Sequence, residues 1–143
     1  MKIENSQLGN KIAVLADDME RHGKERDAPV REVMGLLGDR WSTLILLVLA
    51  TGTWRHAELR RMLGQLSAEQ AISQRVLTLK LRTLERDGFV ARTASAEVPP
   101  KVSYELTPLG SELQGEARRL IDWINARAGA IHHAREGFDR SED

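Results

Sequence analysis

Apolar side chains recur at helical spacing along most of the chain. After a polar break at Gly23–Pro29, Pro29 suits the first turn of a helix that ends at Gly38. Trp41–Ala50 is almost entirely apolar but shorter than the ~20 residues that span a bilayer, so it predicts a helix buried on most sides. A shorter stripe before the break predicts an amphipathic N-terminal helix. Its apolar positions are Leu8, Ile12, Leu15 and Met19.

Two further helices are expected in the middle of the chain. Arg55–Leu63 is helical by composition, and Gly64–Leu66 is expected to interrupt it. Ser67–Gln70 has the spacing of a capping box, which leaves open whether this segment is a loop or an extra helical turn. The next helix runs from Ser73 to Gly88, with four residues expected on its inner face. These are Val76, Leu77, Leu81 and Leu84.

A two-stranded hairpin is expected next. Phe89–Thr93 is typical of a strand, and Val102–Leu106 alternates apolar and polar residues, which is the period of a half-buried strand. Ala94–Lys101 lies between them and holds Pro99 and Pro100, which cannot donate the hydrogen bonds of a sheet. This segment is therefore predicted to be a loop.

The last predicted helix carries more apolar surface than a small domain can cover. Thr107 and Pro108 provide its N-cap and first turn, and its stripe from Leu109 to Ile131 would extend about 35 Å. One interpretation is that the helix packs back on its own core. We instead expect it to pack, with the N-terminal helix, on a second copy of the chain. The residues predicted for this homodimer interface are Leu8, Ile12, Leu15, Leu113, Leu120 and Ile124.

The order of these elements predicts a mainly α fold with a small β-hairpin. It is that of a winged helix-turn-helix with N- and C-terminal dimerisation helices. We expect a single domain over residues 1–143, with an N-terminal dimerisation extension (1–27), a winged-helix core (28–107) and a C-terminal dimerisation helix and tail (108–143).

The distribution of charged residues distinguishes the middle of the chain from its ends. The 143 residues hold 21 basic and 21 acidic side chains, so the net charge identifies no partner. Arg55–Lys101, however, holds nine basic and five acidic residues. This modest excess of positive charge is of the kind that binds a polyanion. There is no Cys, which excludes disulfides, thiolate metal sites and a thiol nucleophile or redox sensor.

The helix from Ser73 to Asp87 is the candidate for reading DNA. Three basic residues and no acidic residue lie between Ser73 and Leu84, and a helix fits the major groove, which is about 12 Å wide. The hairpin would meet neighbouring phosphates. The predicted DNA-binding residues are Ser73, Gln74, Arg75, Thr78, Leu79, Arg82 and Arg86 on the helix, with Arg92 and Lys101 on the hairpin.

Several segments resemble the HxlR-type transcriptional regulators, which are related to the MarR group. The similar segments are Gly38-Asp-Arg-Trp41, Leu44–Leu46, Glu58–Arg61, Ile72–Thr78, Leu81–Val90 and Glu97–Gly110. The Val-Pro-Pro wing followed by Tyr-x-Leu-Thr-x-x-Gly is the most specific of them. The resemblance implies a bacterial homodimer that binds DNA through the helix after Ile72 and dimerises through its terminal helices.

The chain departs from that family pattern in three places. Ala28 stands where many members have a sensor Cys, so a thiol switch cannot operate here. Gly64–Ala71 is about six residues longer than usual. His56 stands where an aromatic residue is common, and Leu79 where a polar one is. Leu79 could touch a thymine methyl or pack on the inserted turn, and both interpretations stay open.

Other classes of function have less support. The sequence holds no Gly-rich phosphate loop or Ser-centred elbow, and the adjacent His132 and His133 diverge on a helix, so we predict no enzyme, no cofactor and no metal site. Met1–Asn10 lacks the apolar core of a secretory signal, and we expect a cytoplasmic protein without a membrane partner. The alternative is a winged-helix module for protein–protein interaction without DNA. A small-molecule effector is left open as a further partner.

Overall fold

The computed structural model describes residues 6–68 and 71–142. The chain divides into two compact units between Asp39 and Arg40, and each is described by itself. In the first, helix α1 (Ser6–Asp18) continues as a π-helical segment (Met19–Gly23) and is followed by α2 (Pro29–Leu37). Pro29 opens α2 and the Gly38 N–H caps its end, as predicted.

The second unit contains the remaining helices and a small sheet. Its elements are α3 (Ser42–Leu49), β1 (Trp54–Arg55), α4 (His56–Leu66), α5 (Gln74–Arg86), β2 (Val90–Ala94), β3 (Val102–Leu106), α6 (Pro108–Ala126) and α7 (Ala128–Glu142). Helix α3 contacts α4, α6 and β3, and its Ile45 and Leu46 are completely buried. Three leucines of α5 and two of α4 complete this core. They are Leu59, Leu63, Leu77, Leu81 and Leu84, all with no exposed surface.

The sheet has three antiparallel strands in the order β1-β3-β2. The predicted hairpin is confirmed, with Val90 opposite Leu106 in its register. The two-residue strand β1, which the sequence analysis did not predict, adds to the other edge of β3 and places Trp54 opposite Tyr104. Strand β1 leads directly into α4, so the sheet fixes where α4 begins.

Two helix boundaries differ from the predictions. Helix α4 does not stop at Gly64 but continues to Leu66. The buried Leu63 holds that turn in the core, and its burial outweighs the ~1 kcal/mol by which a glycine destabilises a helix. Ser67 and Ala68 are not helical, and the other two residues of the proposed capping box lie outside the described residues. The long C-terminal helix breaks at Arg127, whose backbone (φ −114°, ψ 10°) leaves the helical region.

Side-chain hydrogen bonds join α4 to the start of α5. The Arg60 Nε–H donates to the Ile72 carbonyl at 2.8 Å, and His56 Nε2 lies 3.0 Å from Thr78 Oγ1. Burial lowers the pKa of His56 below its ordinary value of 6.5, and the Arg60 guanidinium acts in the same direction. Both effects favour the neutral imidazole.

The end of α5, the start of β2 and the start of α6 meet at one junction. The Thr107 N–H donates to the Phe89 carbonyl at 3.0 Å, and the Gly110 N–H donates to Thr107 Oγ1 at 3.0 Å. Gly88 has φ +84°, a conformation that favours glycine and turns the chain from α5 into β2. A Cβ at Gly110 would lie 1.9 Å from the Phe89 carbonyl oxygen. The junction therefore has no room for a side chain at position 110.

Gly110→Ala is expected to lower the free energy of unfolding by about 3 kcal/mol, because a backbone carbonyl cannot rotate away as a side chain could. Gly115→Ala, in the same helix, is the matched control. Apart from its chain neighbours and its own helix backbone, no atom of the described residues lies within 4 Å of its Cβ position, and the variant should gain about 0.5–1 kcal/mol in helix propensity. Urea unfolding of the three proteins measures both values, and equal stability of the two variants would contradict the close approach.

His56 is expected to make the stability depend on pH. Between its lowered pKa and 6.5 the unfolded chain binds more protons than the folded chain, so stability rises with pH through that window. Lowering the pH from about 7.5 to below that window should therefore destabilise wild type more than His56→Phe in urea unfolding. His56→Gln should show the same weaker dependence as His56→Phe. A wild-type dependence equal to that of both variants would contradict this role of His56.

Candidate nucleic-acid interface

Helix α5 presents a polar face because its opposite face is fixed in the core. Leu77, Leu81 and Leu84 are fully buried at spacings of four and three. The N-cap is Ser73, whose Oγ accepts a hydrogen bond of 3.1 Å from the Val76 N–H, as its short polar side chain predicts. The Ser73 oxygen is therefore used within the helix, while its hydroxyl proton remains available to an acceptor.

One residue of the predicted inner face is on the outside. Val76 is 37% exposed, so its assignment to the core was wrong. At 100° per residue it lies about 100° from Leu77, outside the narrow arc that the three leucines occupy. It adds apolar surface to the flank of the helix.

The outward side of α5 forms the reading face, defined as Arg75, Thr78, Leu79, Arg82 and Arg86. Four of these side chains are exposed and Thr78 is half-buried. Gln74 is exposed beside them in the first turn. Leu79 is 54% exposed, which leaves its methyl groups free of the core. The structure thus brings the predicted helix residues together on one surface.

Arg92 joins this surface from the sheet. It lies opposite Tyr104 in the β2–β3 register, and a cleft of about 430 Å³ separates β2 from α5. The cleft is lined by Thr78, Arg82, Glu85, Arg92 and Tyr104. Two guanidinium groups therefore open on one polar cleft at the side of the reading face, which favours anion binding.

The arginines of this surface have no carboxylate partner among residues 6–68 and 71–142. Within the described residues, no ion pair or hydrogen bond engages the guanidinium of Arg75, Arg82, Arg86 or Arg92. By contrast, Arg118 pairs with Asp122 at 2.8 Å on α6. The four charges are therefore available to an external anion without first breaking an internal pair.

Lys101 lies apart from that cleft in a closed loop. Its Nζ is 3.4 Å from a Glu97 carboxylate oxygen, and both side chains are about half exposed. Its backbone N–H donates to Ser95 Oγ at 2.9 Å, while the Ser95 N–H donates to the Lys101 carbonyl at 2.9 Å. An exposed pair of this kind contributes about 0–1 kcal/mol, so a phosphate can compete for Lys101. The sequence analysis did not anticipate this pairing.

Sequence reasoning also left three residues of this site unassigned. His56 contacts Thr78 directly, and its ring centroid lies 6.2 Å from that of Tyr104. Glu85 and Tyr104 line the cleft beside Arg92. The one available signal was His56, which stands where the resembling family has an aromatic residue.

The residues predicted for a dimer interface divide between the two units. On α1 their exposed fractions run from 44% to 56%, and on α6 Leu120 and Ile124 are 48% and 42% exposed. Leu113 is half-buried. Trp123, also on α6, is 53% exposed and lies under the Arg127 guanidinium, 4.4 Å from the ring centroid. A single chain thus leaves these apolar side chains in solvent.

The residues that the structure describes offer neither a cluster of metal ligands nor a membrane-spanning helix. They hold no group of three or more His, Asp or Glu arranged to bind a metal ion. Among residues 6–68 and 71–142, no helix combines the length and apolar character needed to cross a bilayer.

Known proteins with similar sequences are transcriptional regulators. The chain is 43% identical over 96 residues to the HTH-type transcriptional regulator YtfH of Escherichia coli (strain K12), which covers 67% of this chain and 71% of that protein. It is 36% identical over 141 residues to the HTH-type transcriptional regulator YdeP of Bacillus subtilis (strain 168), covering 96% of this chain and 99% of that one.

A solved structure extends the similarity to the fold. The transcriptional regulator ytfH from Salmonella typhimurium superposes with a TM-score of 0.64 at 37% identity, covering 78% of this chain and 95% of that one. The family described as HxlR-like helix-turn-helix matches residues 36–131, which include α3 to α6 and the reading face. The predicted mainly α fold with a winged helix-turn-helix is confirmed, and the chain belongs to the HxlR-like helix-turn-helix family of transcriptional regulators.

Proposed function

We propose that two copies of this chain bind double-stranded DNA sequence-specifically and so regulate transcription in the bacterial cytoplasm. The observation that carries the proposal is the group of four arginines on α5 and β2 that have no carboxylate partner among the residues that the structure describes. Such charges attract phosphates and release counterions from DNA. Three of them, Arg75, Arg82 and Arg86, lie on the second helix of a helix-turn-helix, which is the element that enters the major groove in this architecture.

The proposed complex assigns different tasks to different side chains. Arg75 lies in the first turn of α5, where a guanidinium can pair with guanine O6 and N7 in bidentate fashion. Leu79 is exposed and can contact a thymine methyl. Arg92, at the side of the helix, and Lys101, in the loop between β2 and β3, are assigned to phosphates, which position the protein without carrying sequence information.

The alternative of a protein-interaction module has one feature in its favour. Leu79 is a large apolar side chain in solvent. The mark of such a module would be an apolar or acidic face, whereas Arg75, Arg82 and Arg86 surround that leucine with positive charge, which attracts a polyanion. The basic surface supports DNA as the partner.

Homodimer formation is part of the proposal. Exposed apolar residues on α1, and separately those on α6, are an aggregation liability in a monomer and would be covered in a two-fold dimer. Two reading helices related by such an axis bind two half-sites about 34–36 Å apart, or a multiple of that spacing.

Regulation by a small molecule is the last part of the proposal. A cleft of about 780 Å³ lies between the π-helical segment and α2, lined by charged side chains of both signs such as Arg21, Glu25 and Asp27. A compound that binds there would combine polar groups with apolar surface, because Ala28, Pro29 and Val30 also line the cleft. It would be recognised by a change in the affinity for the operator duplex when the compound is added.

Arg75→Ala should weaken binding to a duplex selected from a random pool by about 1–3 kcal/mol and binding to its scrambled version much less. Lys101→Ala should weaken both duplexes alike and reduce the slope of log affinity against log salt by about one unit. Salt titrations of each variant on both duplexes measure these effects.

Glu97→Gln is the matched control for Lys101, because it removes the competing carboxylate and leaves the lysine in place. It should strengthen binding to both duplexes. Equal losses for Arg75→Ala on the selected and scrambled duplexes would contradict the assignment of α5 as the reading helix.

Leu120→Asp with Ile124→Asp should give monomers or aggregates, because it places two charges in the proposed dimer interface. Both side chains are exposed in the single chain, so the protomer itself should stay folded by circular dichroism. Ser111→Asp, about 180° from Leu120 around α6, should remain a dimer. Sedimentation at micromolar concentration distinguishes the species, and a monomeric wild type would contradict the proposal.

A further inference from the structure

The hydrogen bond between His56 and Thr78 links the first turn of α4 to the reading face. His56 Nε2 lies 3.0 Å from Thr78 Oγ1, and the same oxygen lies 2.9 Å from the Gln74 carbonyl oxygen. A carbonyl only accepts, so the single Thr78 hydroxyl proton points to Gln74. Both contacts are hydrogen bonds at once only if the His56 Nε2 carries a proton and donates it to Thr78.

This arrangement uses most of the hydrogen-bonding capacity of the Thr78 hydroxyl. A hydroxyl has one proton and two lone pairs. The proton goes to Gln74 and one lone pair goes to His56, which leaves one lone pair. A threonine in a groove can ordinarily pair with either donors or acceptors, since its hydroxyl rotates. Here it can only accept.

The surroundings of His56 hold the imidazole in place. Tyr104 packs beside it with ring planes inclined by 57°, and the backbone of His56 is fixed as the first residue of α4, directly after β1. The Arg60 side chain is itself held by its bond to the Ile72 carbonyl. Burial and this guanidinium lower the pKa of His56, so the neutral ring with a single proton is the favoured form.

We propose that His56 is a positioning residue for sequence reading: it fixes the Thr78 hydroxyl as a hydrogen-bond acceptor. Helix α5 then selects, at the base pair facing Thr78, a base with an amino group in the major groove. These groups are adenine N6 and cytosine N4, whereas guanine O6 and thymine O4 present acceptors that the fixed hydroxyl rejects. The inference rests on the proposed function, because it requires Thr78 to face DNA.

The hydrogen bond is tested without DNA. Nitrogen-15 NMR of the histidine rings at neutral pH, with His56 assigned by its absence in His56→Gln, shows which nitrogen is protonated. We expect the Nε2-protonated tautomer, and the Nδ1-protonated tautomer would overturn the inference.

The selectivity is tested with a panel of duplexes that carry each of the four bases at every position of a half-site. Wild type should prefer adenine or cytosine over guanine or thymine at one position by about 3- to 10-fold. His56→Phe, which keeps a ring beside Tyr104, should lose most of this preference because the Thr78 hydroxyl can rotate. His56→Gln carries a donor near the position of Nε2 and should restore much of it.

Thr78→Val is the partner variant in a double-mutant cycle. It should abolish the preference, and His56→Phe should have no further effect in its background. If wild type and His56→Phe discriminate equally well among the four bases at that position, this inference alone is overturned. A wild type with no sequence preference at any position contradicts the proposed function, and this inference with it.

Discussion

The positions of the reading face, the sheet and α6 depend on one close backbone approach, that of Gly110 to the Phe89 carbonyl. Helix α5 ends just before Phe89, β2 begins just after it, and Thr107 binds the same carbonyl from the end of β3. Three chain segments are therefore fixed at one point. A shift of α6 away from that point would move the outer edge of the proposed DNA-binding surface, although no residue of the junction needs to touch DNA.

The elements that the sequence predicts well are those whose apolar residues follow one period. The stripe from Leu77 to Leu84 and the alternation in Val102–Leu106 reproduce α5 and β3 almost residue for residue. Strand β1 has two residues and therefore no period, and it exists only because it pairs with β3, about 50 residues later in the chain. The apolar pattern likewise does not predict the break at Arg127, because the apolar stripe continues past it to Ile131.

The candidate site likewise has one part that the sequence predicts and another that it does not. Helical spacing places Arg75, Thr78 and Arg82 on one face, so the sequence predicts their neighbourhood. It does not predict what each side chain binds. Thr78 is hydrogen-bonded to His56, which lies 22 residues earlier on a helix whose angle to α5 depends on the lengthened connection. Lys101 pairs with the carboxylate of Glu97 in its own loop. Partners of this kind follow from the packing of elements, which period and composition do not determine.

The closed loop between the two longer strands affects the entropy of association. Its ends are joined by the hydrogen bonds between Ser95 and Lys101, while Val98 at its tip is 96% exposed. A loop that is already closed has fewer backbone conformations to lose when a surface comes against its tip. An open loop of the same length would have to order its backbone on binding, and the entropy cost would offset part of the free energy of each favourable contact. In the proposed complex with DNA, this closed loop would lose little entropy on contacting the duplex, so that even shallow contacts of its tip would contribute to binding.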